Sequence, residues 1–323
     1  MPLPAPRGEL SAAVVDVLRG RRGLLPPVGD ADPHGEDLTL ALHLLYELHY
    51  RGFDGVDEEL EWDPDLLRLR AELERPFLGA LRDEVGTAGV ADVVDDLLVE
   101  RVPGSGVPHF LRERGQWWHF RELFVHRSIY HLKEADPHAW VIPRLRGRAK
   151  AAVVAVEFDE FGGGHAERMH SRLFADLLEA ADLSSGYLHY LDVVPAPALA
   201  TVNLMSLFGL HRSLRGALVG HFAATEITTG PSARRMVSAL RKLSAPEACV
   251  RFYSEHIEAD AVHEQVLRHE VIGGLLEDEP HLAADVAFGL LAAESLEERL
   301  AQCLLAAWEA DTPSLRETEN VLV

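Results

Sequence analysis

The chain has 323 residues, of which 47% are hydrophobic and 26% are charged, an ordinary composition for a globular protein with a sizeable core. Its formal net charge of -21 argues against nucleic acid or an anionic membrane as a partner, because both would repel it. Only two cysteines are present, Cys249 and Cys303, which excludes a disulfide scaffold and a thiolate zinc site and is typical of a reducing cytosol.

The sequence indicates a cytoplasmic protein that does not span a membrane. Its N-terminus lacks the apolar stretch of a signal peptide. The longest uncharged run, 193–210, contains Pro195, Pro197 and several polar residues, which favours a buried core helix over a membrane span.

Helical periodicity dominates the chain, and the alternation of a β-strand is almost absent. Two strongly apolar helices are predicted in the first hundred residues, over 38–50 and 65–85, and the Gly- and Pro-rich stretch 102–108 is the clearest linker. We therefore predict an all-α protein in three units. These are an N-terminal helical extension (1–105), a main domain (106–310) and a polar, frayed C-terminal tail (311–323).

Seven long helices are predicted after the linker, with a proline near the start of most of them. Their predicted ranges are 117–135, 138–160, 166–182, 195–228, 231–243, 246–276 and 279–309. In this scheme Gly230 and Pro231 separate the fourth helix from the fifth.

The most informative segment lies in the sixth predicted helix. His256, Asp260 and His263 are spaced i, i+4 and i+7, so they lie within about 60° of one another on a helix. Imidazole and carboxylate groups together suit iron, zinc or manganese. A solvated face that is rich in histidine would show the same pattern.

Glu226 ends a long, mostly apolar stretch that begins at Ala217 and runs through 217–225. A carboxylate that faces inward there would need a metal, a cation or a proton, because burying it unpaired costs several kcal/mol. The alternative is a glutamate turned to solvent at a helix end, since Gly230 and Pro231 follow.

The segment 156–170 holds further candidate ligands. Glu157 and Glu160 are one turn apart, and Glu167 and His170 form the Glu-x-x-His pair that di-iron bundles use. Three glycines at 162–164 interrupt any regular helix between these two pairs.

These spacings resemble the heme-oxygenase-like di-iron oxidases, a family of iron-containing redox enzymes. Their third metal-binding helix has the pattern His-x3-Asp-x2-His, which His256, Asp260 and His263 match. Their second such helix supplies one glutamate, and Glu226 stands at about the expected place, thirty residues before His256. Their first metal-binding helix supplies a glutamate and, seven positions later, a histidine. His170 stands at about the expected distance from Glu226 to be this histidine.

The first element departs from the family's pattern, because Glu160 precedes His170 by ten positions. On an unbroken helix the two residues would be about 15 Å apart along the axis, too far to share a metal. A looped-out turn at 162–164 would bring them together. Glu157 and Glu167 remain alternatives for this ligand.

The resemblance implies an up-and-down helical bundle with Fe(2+) between its core helices. Two ions per chain are implied, whereas one facial set of ligands would suffice for mono-iron chemistry. It also implies O2 as co-substrate, a small organic substrate and an external reductant for electrons that the substrate does not supply. The implied ligands are Glu160 (or Glu157 or Glu167), His170, Glu226, His256, Asp260 and His263.

Two further residues are candidates near this site. His221 stands five residues before Glu226 and could contact a metal ligand or the substrate, so both are candidate catalytic residues. Arg215 could bind a substrate carboxylate through two hydrogen bonds, or it could be an ordinary surface residue.

Two other functions remain open from the sequence. A metal-free, thiaminase-like enzyme of the same fold would need a nucleophilic cysteine, for which Cys249 is the candidate nearest to these helices. A non-enzymatic helical scaffold would have its carboxylates and histidines in solvent. The sequence also leaves open whether two copies of the chain form a homodimer.

Overall fold

The computed structural model describes residues 1–21, 26–100 and 104–316, except the side chains of Glu258, Asp260 and Ala261. Within these ranges the chain forms helices and turns and no strand, so the predicted all-α class is confirmed. The α-helices are α1 (Glu9–Leu18), α2 (Glu36–Glu47), α3 (Pro64–Val85), α4 (Val90–Leu98), α5 (Val107–Arg114), α6 (Trp117–His131), α7 (Asp136–Ala139), α8 (Gly147–Glu160), α9 (His170–Ala180), α10 (Ala196–Leu210), α11 (Arg215–Lys242), α12 (Glu247–Val266), α13 (Gly273–Asp278) and α14 (Ala283–Glu309).

Helix α11 lies at the centre of the bundle and packs against both α12 and α14. Its crossing with α14 is close enough to require glycine on both sides. A Cβ atom at Gly220 would lie 2.0 Å from the carbonyl oxygen of Val286, and one at Gly289 would lie 2.0 Å from that of Ala217. The two backbones therefore approach directly, and this fixes the depth at which α11 presents its side chains to the interior.

The N-terminal extension packs on the main domain through several of its helices. Helix α2 contacts α10, α3 contacts α14, and α4 contacts both α11 and α14. Buried leucines of the extension, such as Leu42 and Leu73, belong to the same continuous hydrophobic core as the residues of α11 and α14. The division of the chain at residue 105 stays a prediction from the sequence.

Two predicted helix boundaries around α11 were wrong. The helix predicted over 195–228 is divided by a turn at His211–Leu214, and α11 then continues through Gly230 and Pro231 to Lys242. Pro231 cannot donate a hydrogen bond to the carbonyl of Ile227. The apolar residues beyond it, such as Met236, are buried against neighbouring helices, and this packing outweighs the local preference for a break.

The region between α6 and α8 also differs from the prediction. Helix α6 ends at His131, and the next long helix begins at Gly147 rather than at residue 138. A turn over 132–135 and the short α7 occupy most of the intervening chain. The 132–135 turn matters for the site, because it places a buried glutamate, Glu134, outside any helix.

The tail was predicted to fray after residue 310, which is wrong for its described part, 311–316. The side chain of Leu315 is buried, and the amide of Ser314 donates a hydrogen bond of 2.9 Å to Glu122. Residues 317–323 lie outside the described residues. Across the described chain, we find no helix with both the length and the apolar character that crossing a membrane requires.

Candidate metal centre

Six buried side chains with metal-binding atoms meet between α8, α9, α11, α12 and the 132–135 turn. They form two groups, and within each group one donor atom per residue lies within 4.8 Å of the others. The first triplet is Glu134, His170 and His256, and the second triplet is Glu160, Glu226 and His263. Three carboxylates and three imidazoles are therefore gathered away from solvent.

The junction of α8 and α9 brings Glu160 to His170 despite their separation of ten positions. Helix α8 ends at Glu160, and Gly162, Gly163 and Gly164 all have positive φ, so the chain loops out before α9 begins at His170. The Glu160 Oε2 atom lies 2.7 Å from His170 Nδ1. At Gly162 there is no room for a side chain, because a Cβ atom would lie 2.6 Å from the Met169 amide nitrogen.

Glu160 also joins the two triplets to each other. While its Oε2 contacts His170, its Oε1 lies 3.3 Å from His263 Nδ1. The Glu226 Oε2 atom lies 3.2 Å from the same His263 nitrogen. The Glu160 carboxylate thus stands between the triplets, as a bridging ligand does in a carboxylate di-iron site.

The histidines of α12 are oriented by groups beside the site. His256 Nδ1 donates a hydrogen bond of 2.7 Å to the carbonyl oxygen of Phe252, so its Nε2 carries the lone pair and faces Glu134 Oε1 at 3.6 Å. His263 Nε2 lies 3.4 Å from the carboxylate of Asp159. Such contacts to the second nitrogen of an imidazole fix the ring that binds a metal.

In the metal-free chain, bound protons balance the negative charges of the second triplet. Burial opposes the charge on His263, but hydrogen bonds to Glu160 and Glu226 outweigh it and raise the pKa of His263 to about 11. Burial would likewise raise the pKa of Glu160, but His170 and His263 lower it to about 2. Burial raises the pKa of Glu226 above its ordinary value.

A neighbouring carboxyl group, Glu157, keeps its proton. Burial and the nearby charge of Glu160 raise the pKa of Glu157 to about 9. Neither of its two oxygen atoms has a hydrogen-bond partner among the described residues. Glu157 lies on the same helix as Glu160, one turn earlier, but it belongs to neither triplet.

The donor set fits iron. Nitrogen and oxygen donors without thiolates suit Fe(2+), and carboxylates shared with imidazoles are the ligands of di-iron bundles. Two cations at the triplets would replace the protons that now neutralise these buried carboxylates. The alternative first-helix ligand, Glu167, has a side chain that is 73% exposed and is paired with His165, so it lies outside this arrangement.

The structure brings together five of the six residues proposed as ligands and adds one. Glu160, His170, Glu226, His256 and His263 are all in the triplets. The side chain of Asp260 lies outside the described residues, so its place in the ligand set stays a prediction.

Sequence reasoning missed Glu134, because it lies in a turn and shows no helical spacing to the other ligands. The signal that could have found it is the local pair with His131, three residues earlier. His131 Nδ1 lies 2.9 Å from Glu134 Oε1.

A cavity of about 420 Å³ adjoins the triplets, a size typical of small-molecule sites. Glu134, Glu160, Glu226 and His256 line one side of it. Elsewhere on its wall, Arg127 donates two hydrogen bonds of 2.7 and 2.6 Å to the carboxylate of Glu297. The cavity is therefore open to the candidate ligands and also has a charged pair on its wall.

His221 lies in the cavity wall, where its Nδ1 atom is 3.1 Å from His138 Nε2. Burial lowers the pKa of His221 to about 4, so the ring is neutral near pH 7. Arg215 is placed elsewhere: it forms an ion pair with Glu279 and is not among the cavity-lining residues.

Cys249, the candidate nucleophile, is buried and donates a hydrogen bond of 3.7 Å to the carbonyl of Leu177. Burial raises the pKa of this thiol to about 12, whereas a nucleophilic cysteine needs a lowered pKa. The residue does not line the cavity.

Comparisons with known proteins agree with this donor set. The model of a family described as iron-containing redox enzymes matches residues 121–298, which is more than half of the chain. The matched range includes both triplets. The chain belongs to this family, which confirms the resemblance drawn from the sequence, and its all-α structure is consistent with the heme-oxygenase-like fold.

One relative is the nitrosourea synthase of Streptomyces achromogenes subsp. streptozoticus, which is 28% identical over 222 residues. The aligned region covers 65% of this chain and 46% of the relative. The chain therefore spans less than half of that relative's length.

Proposed function

We propose that this member of the iron-containing redox enzymes is a non-heme oxygenase or oxidase that holds two Fe(2+) ions, one at each triplet. It would use O2 as co-substrate to oxidise a small organic substrate. The observation that carries the proposal is the pair of adjoining, buried triplets joined by the Glu160 carboxylate.

In this proposal each ion has ligands from more than one helix. Glu134, His170 and His256 would hold one ion, and Glu226 and His263 would hold the other, while Glu160, whose two oxygens face different triplets, would contribute to both. Asp260 would complete the set, as its sequence spacing from His256 and His263 predicts. When bound, the reduced iron pair supplies the electrons that activate O2.

The cavity is the proposed place of the substrate. It would hold a small molecule against Glu134 and Glu226, shielded from bulk water by the surrounding helices. Arg127 and Glu297 offer opposite charges on its wall, so either residue could orient a polar substrate group. Arg215 has no part in this proposal, since its guanidinium is engaged by Glu279.

Proton handling falls to two residues near the ligands. Glu157, with a pKa of about 9, would hold a proton on its carboxyl group at neutral pH and could donate it beside Glu160. His221 is neutral and lines the cavity, so one ring nitrogen can accept a proton from the substrate.

The relative's name points to a nitrosourea as a product of that protein. We do not extend that product to this chain, because the aligned region covers 46% of the relative. An external reductant would supply electrons that the substrate does not. A cytoplasmic location, proposed from the sequence, would provide such reductants.

Anaerobic loading with Fe(2+), metal quantitation and stopped-flow absorbance on mixing with O2 would test the proposal. We expect two irons per chain and a transient visible band. Glu226→Gln should lower the iron content. Glu74→Gln should not, because Glu74 is a buried glutamate of α3 that belongs to neither triplet and does not line the cavity. One iron per chain in the wild type would contradict the two-ion site, and none would contradict the proposal as a whole.

A further inference from the structure

We propose that the end of α2, in the N-terminal extension, positions Glu134 for metal binding through a buried ion pair between Glu47 and Lys133. Lys133 is the residue directly before Glu134. The inference rests on the proposed function, in which Glu134 is a metal ligand. It assigns a role to the N-terminal extension, which contributes no residue to either triplet.

The turn that carries Glu134 needs support from outside. It lies after the last residue of α6, and the amides of Lys133 and Glu134 donate to the carbonyls of Tyr130 and His131 at 2.8 and 3.4 Å. These are short-range turn bonds and hold the backbone less firmly than the continuous hydrogen bonds of an α-helix. Ala135 within it has φ 75°, a conformation that is costly for a residue with a side chain and persists only where the surroundings enforce it. A ligand on such a turn keeps its position only if neighbouring residues are held.

Lys133 provides that anchor. Its side chain is 1% exposed, and its Nζ donates a hydrogen bond of 2.9 Å to Oε2 of Glu47, which is fully buried. The other oxygen of Glu47 accepts a hydrogen bond of 2.7 Å from the Tyr187 hydroxyl. The Lys133 ammonium also lies 4.0 Å from the centre of the Tyr50 ring, a cation–π contact.

A second residue, four positions beyond the end of α2, contacts the same turn. Arg51 donates a hydrogen bond of 3.2 Å to the carbonyl oxygen of Leu132. Its guanidinium lies 4.2 Å from the centre of the Tyr187 ring, the same tyrosine that bonds to Glu47. The last residue of α2 and the segment directly after it therefore hold the turn at both a side chain and a backbone atom.

On the opposite side, Glu134 turns towards the metal site. Its Oε1 contacts His131 and His256, and its donor atoms lie within the first triplet. Lys133 and Glu134 thus tie one short turn to the extension and to the metal centre. Glu47 and Lys133 act as positioning residues, because they reach the ion only through Glu134.

The test uses the double variant Glu47→Gln/Lys133→Met in the full-length chain. Removing both charges avoids the unpaired buried charge that a single substitution would leave, which can prevent folding. The probe is Co(2+), titrated anaerobically and followed by visible absorbance. We expect one of two binding steps to weaken about 10- to 100-fold, as is usual when partners of a metal ligand are lost. The spectrum of the remaining ion should match that of Glu134→Gln.

The chain offers a matched control in Glu74→Gln. Glu74 is also buried, also accepts a hydrogen bond from a tyrosine hydroxyl (Tyr46, 3.1 Å) and also reaches from the extension to the main domain, through His211 at 2.9 Å. It does not contact the 132–135 turn. Both Co(2+) affinities of this control should equal those of the wild type, even if its thermal stability falls.

Three results would overturn the inference while the proposed function stands. These are unchanged affinities in the double variant, an equal weakening of both binding steps, and a similar selective loss in Glu74→Gln. A wild-type chain that binds no Co(2+) would instead overturn the proposed function, and this inference with it.

Discussion

The two triplets lie side by side but are built differently. The second triplet consists of residues on α8, α11 and α12 whose donor atoms contact one another, with His263 between Glu160 and Glu226. In the first triplet, Glu134 comes from a turn and His170 is the first residue of α9. The second triplet is therefore organised by its own charges and by regular helices, whereas the first depends on what supports its turn.

The largest expected effect comes from the residue that the triplets share. Glu160→Gln should weaken the binding of both ions by at least about 100-fold, because it removes a charged oxygen from each. Glu134→Gln should weaken only one of them. Metal quantitation after dialysis against Fe(2+) under anaerobic conditions would distinguish the variants.

Circular dichroism should show the same helical content in both variants, which controls for misfolding. If Glu160→Gln lost one ion only, Glu160 would belong to a single triplet and its place between the two would be wrong.

The next effect concerns the loop that brings His170 to Glu160. Gly162→Ala should destabilise the metal-free chain by more than the roughly 1–3 kcal/mol expected for an alanine at positive φ, because its Cβ would also meet the Met169 amide at 2.6 Å. Met169 precedes His170, so iron binding should weaken as well. Thermal unfolding and iron content measure the two effects.

Gly163→Ala is the matched control for this loop. Its φ is also positive, 62° compared with 75° at Gly162, but the nearest atom to its Cβ is a Phe158 ring carbon at 3.8 Å. It should show the backbone cost alone and retain its iron. Equal iron loss in both variants would mean that loop strain, and not the close approach to Met169, controls the position of His170.

The difference between the triplets also explains what the sequence could predict. The spacing of His256 and His263 and the apolar run before Glu226 depend on helix geometry, so they were readable without a structure. The looping-out of 162–164 was readable because glycine tolerates positive φ. These are all local signals.

Other features depend on contacts between distant segments. Glu134 becomes a candidate ligand only when α2 and α12 meet its turn. Helix α11 continues past Pro231 only because the neighbouring helices bury its far half. Arg215 pairs with Glu279, 64 positions away along the chain. The spacing of residues within one segment of the sequence does not predict such pairings.

Proton release on metal binding should also distinguish the second triplet from the first. With its pKa of about 11, His263 is protonated at pH 8 in the metal-free chain, so an ion that binds there displaces about one proton. Affinity for that ion should therefore rise with pH up to about 11. Isothermal titration in buffers of different ionisation enthalpy measures the protons, and His263→Gln should reduce their number.

The stability of the folded, metal-free chain should change with pH in the opposite direction to the metal affinity. The pKa of His263 is higher in the folded chain than its ordinary value of 6.5, so its contribution to stability is fully present below pH 6.5 and is lost as pH rises through 11. The metal-free wild type should thus lose stability in alkali, and His263→Gln should flatten this dependence. An identical profile in both chains would contradict the strong pairing of His263 with Glu160 and Glu226.

The smallest expected effect tests whether the second triplet is self-sufficient. Asp159 lies 3.4 Å from His263 Nε2, but its side chain is 59% exposed, so solvent screens much of the interaction. Asp159→Asn should therefore weaken the binding of one ion by about tenfold or less, at the lower end of the effects seen for partners of a ligating histidine. A loss of 100-fold or more in a Co(2+) titration would show that His263 depends on this outer carboxylate. The second triplet would then need external support as much as the first does from Lys133 and Glu47.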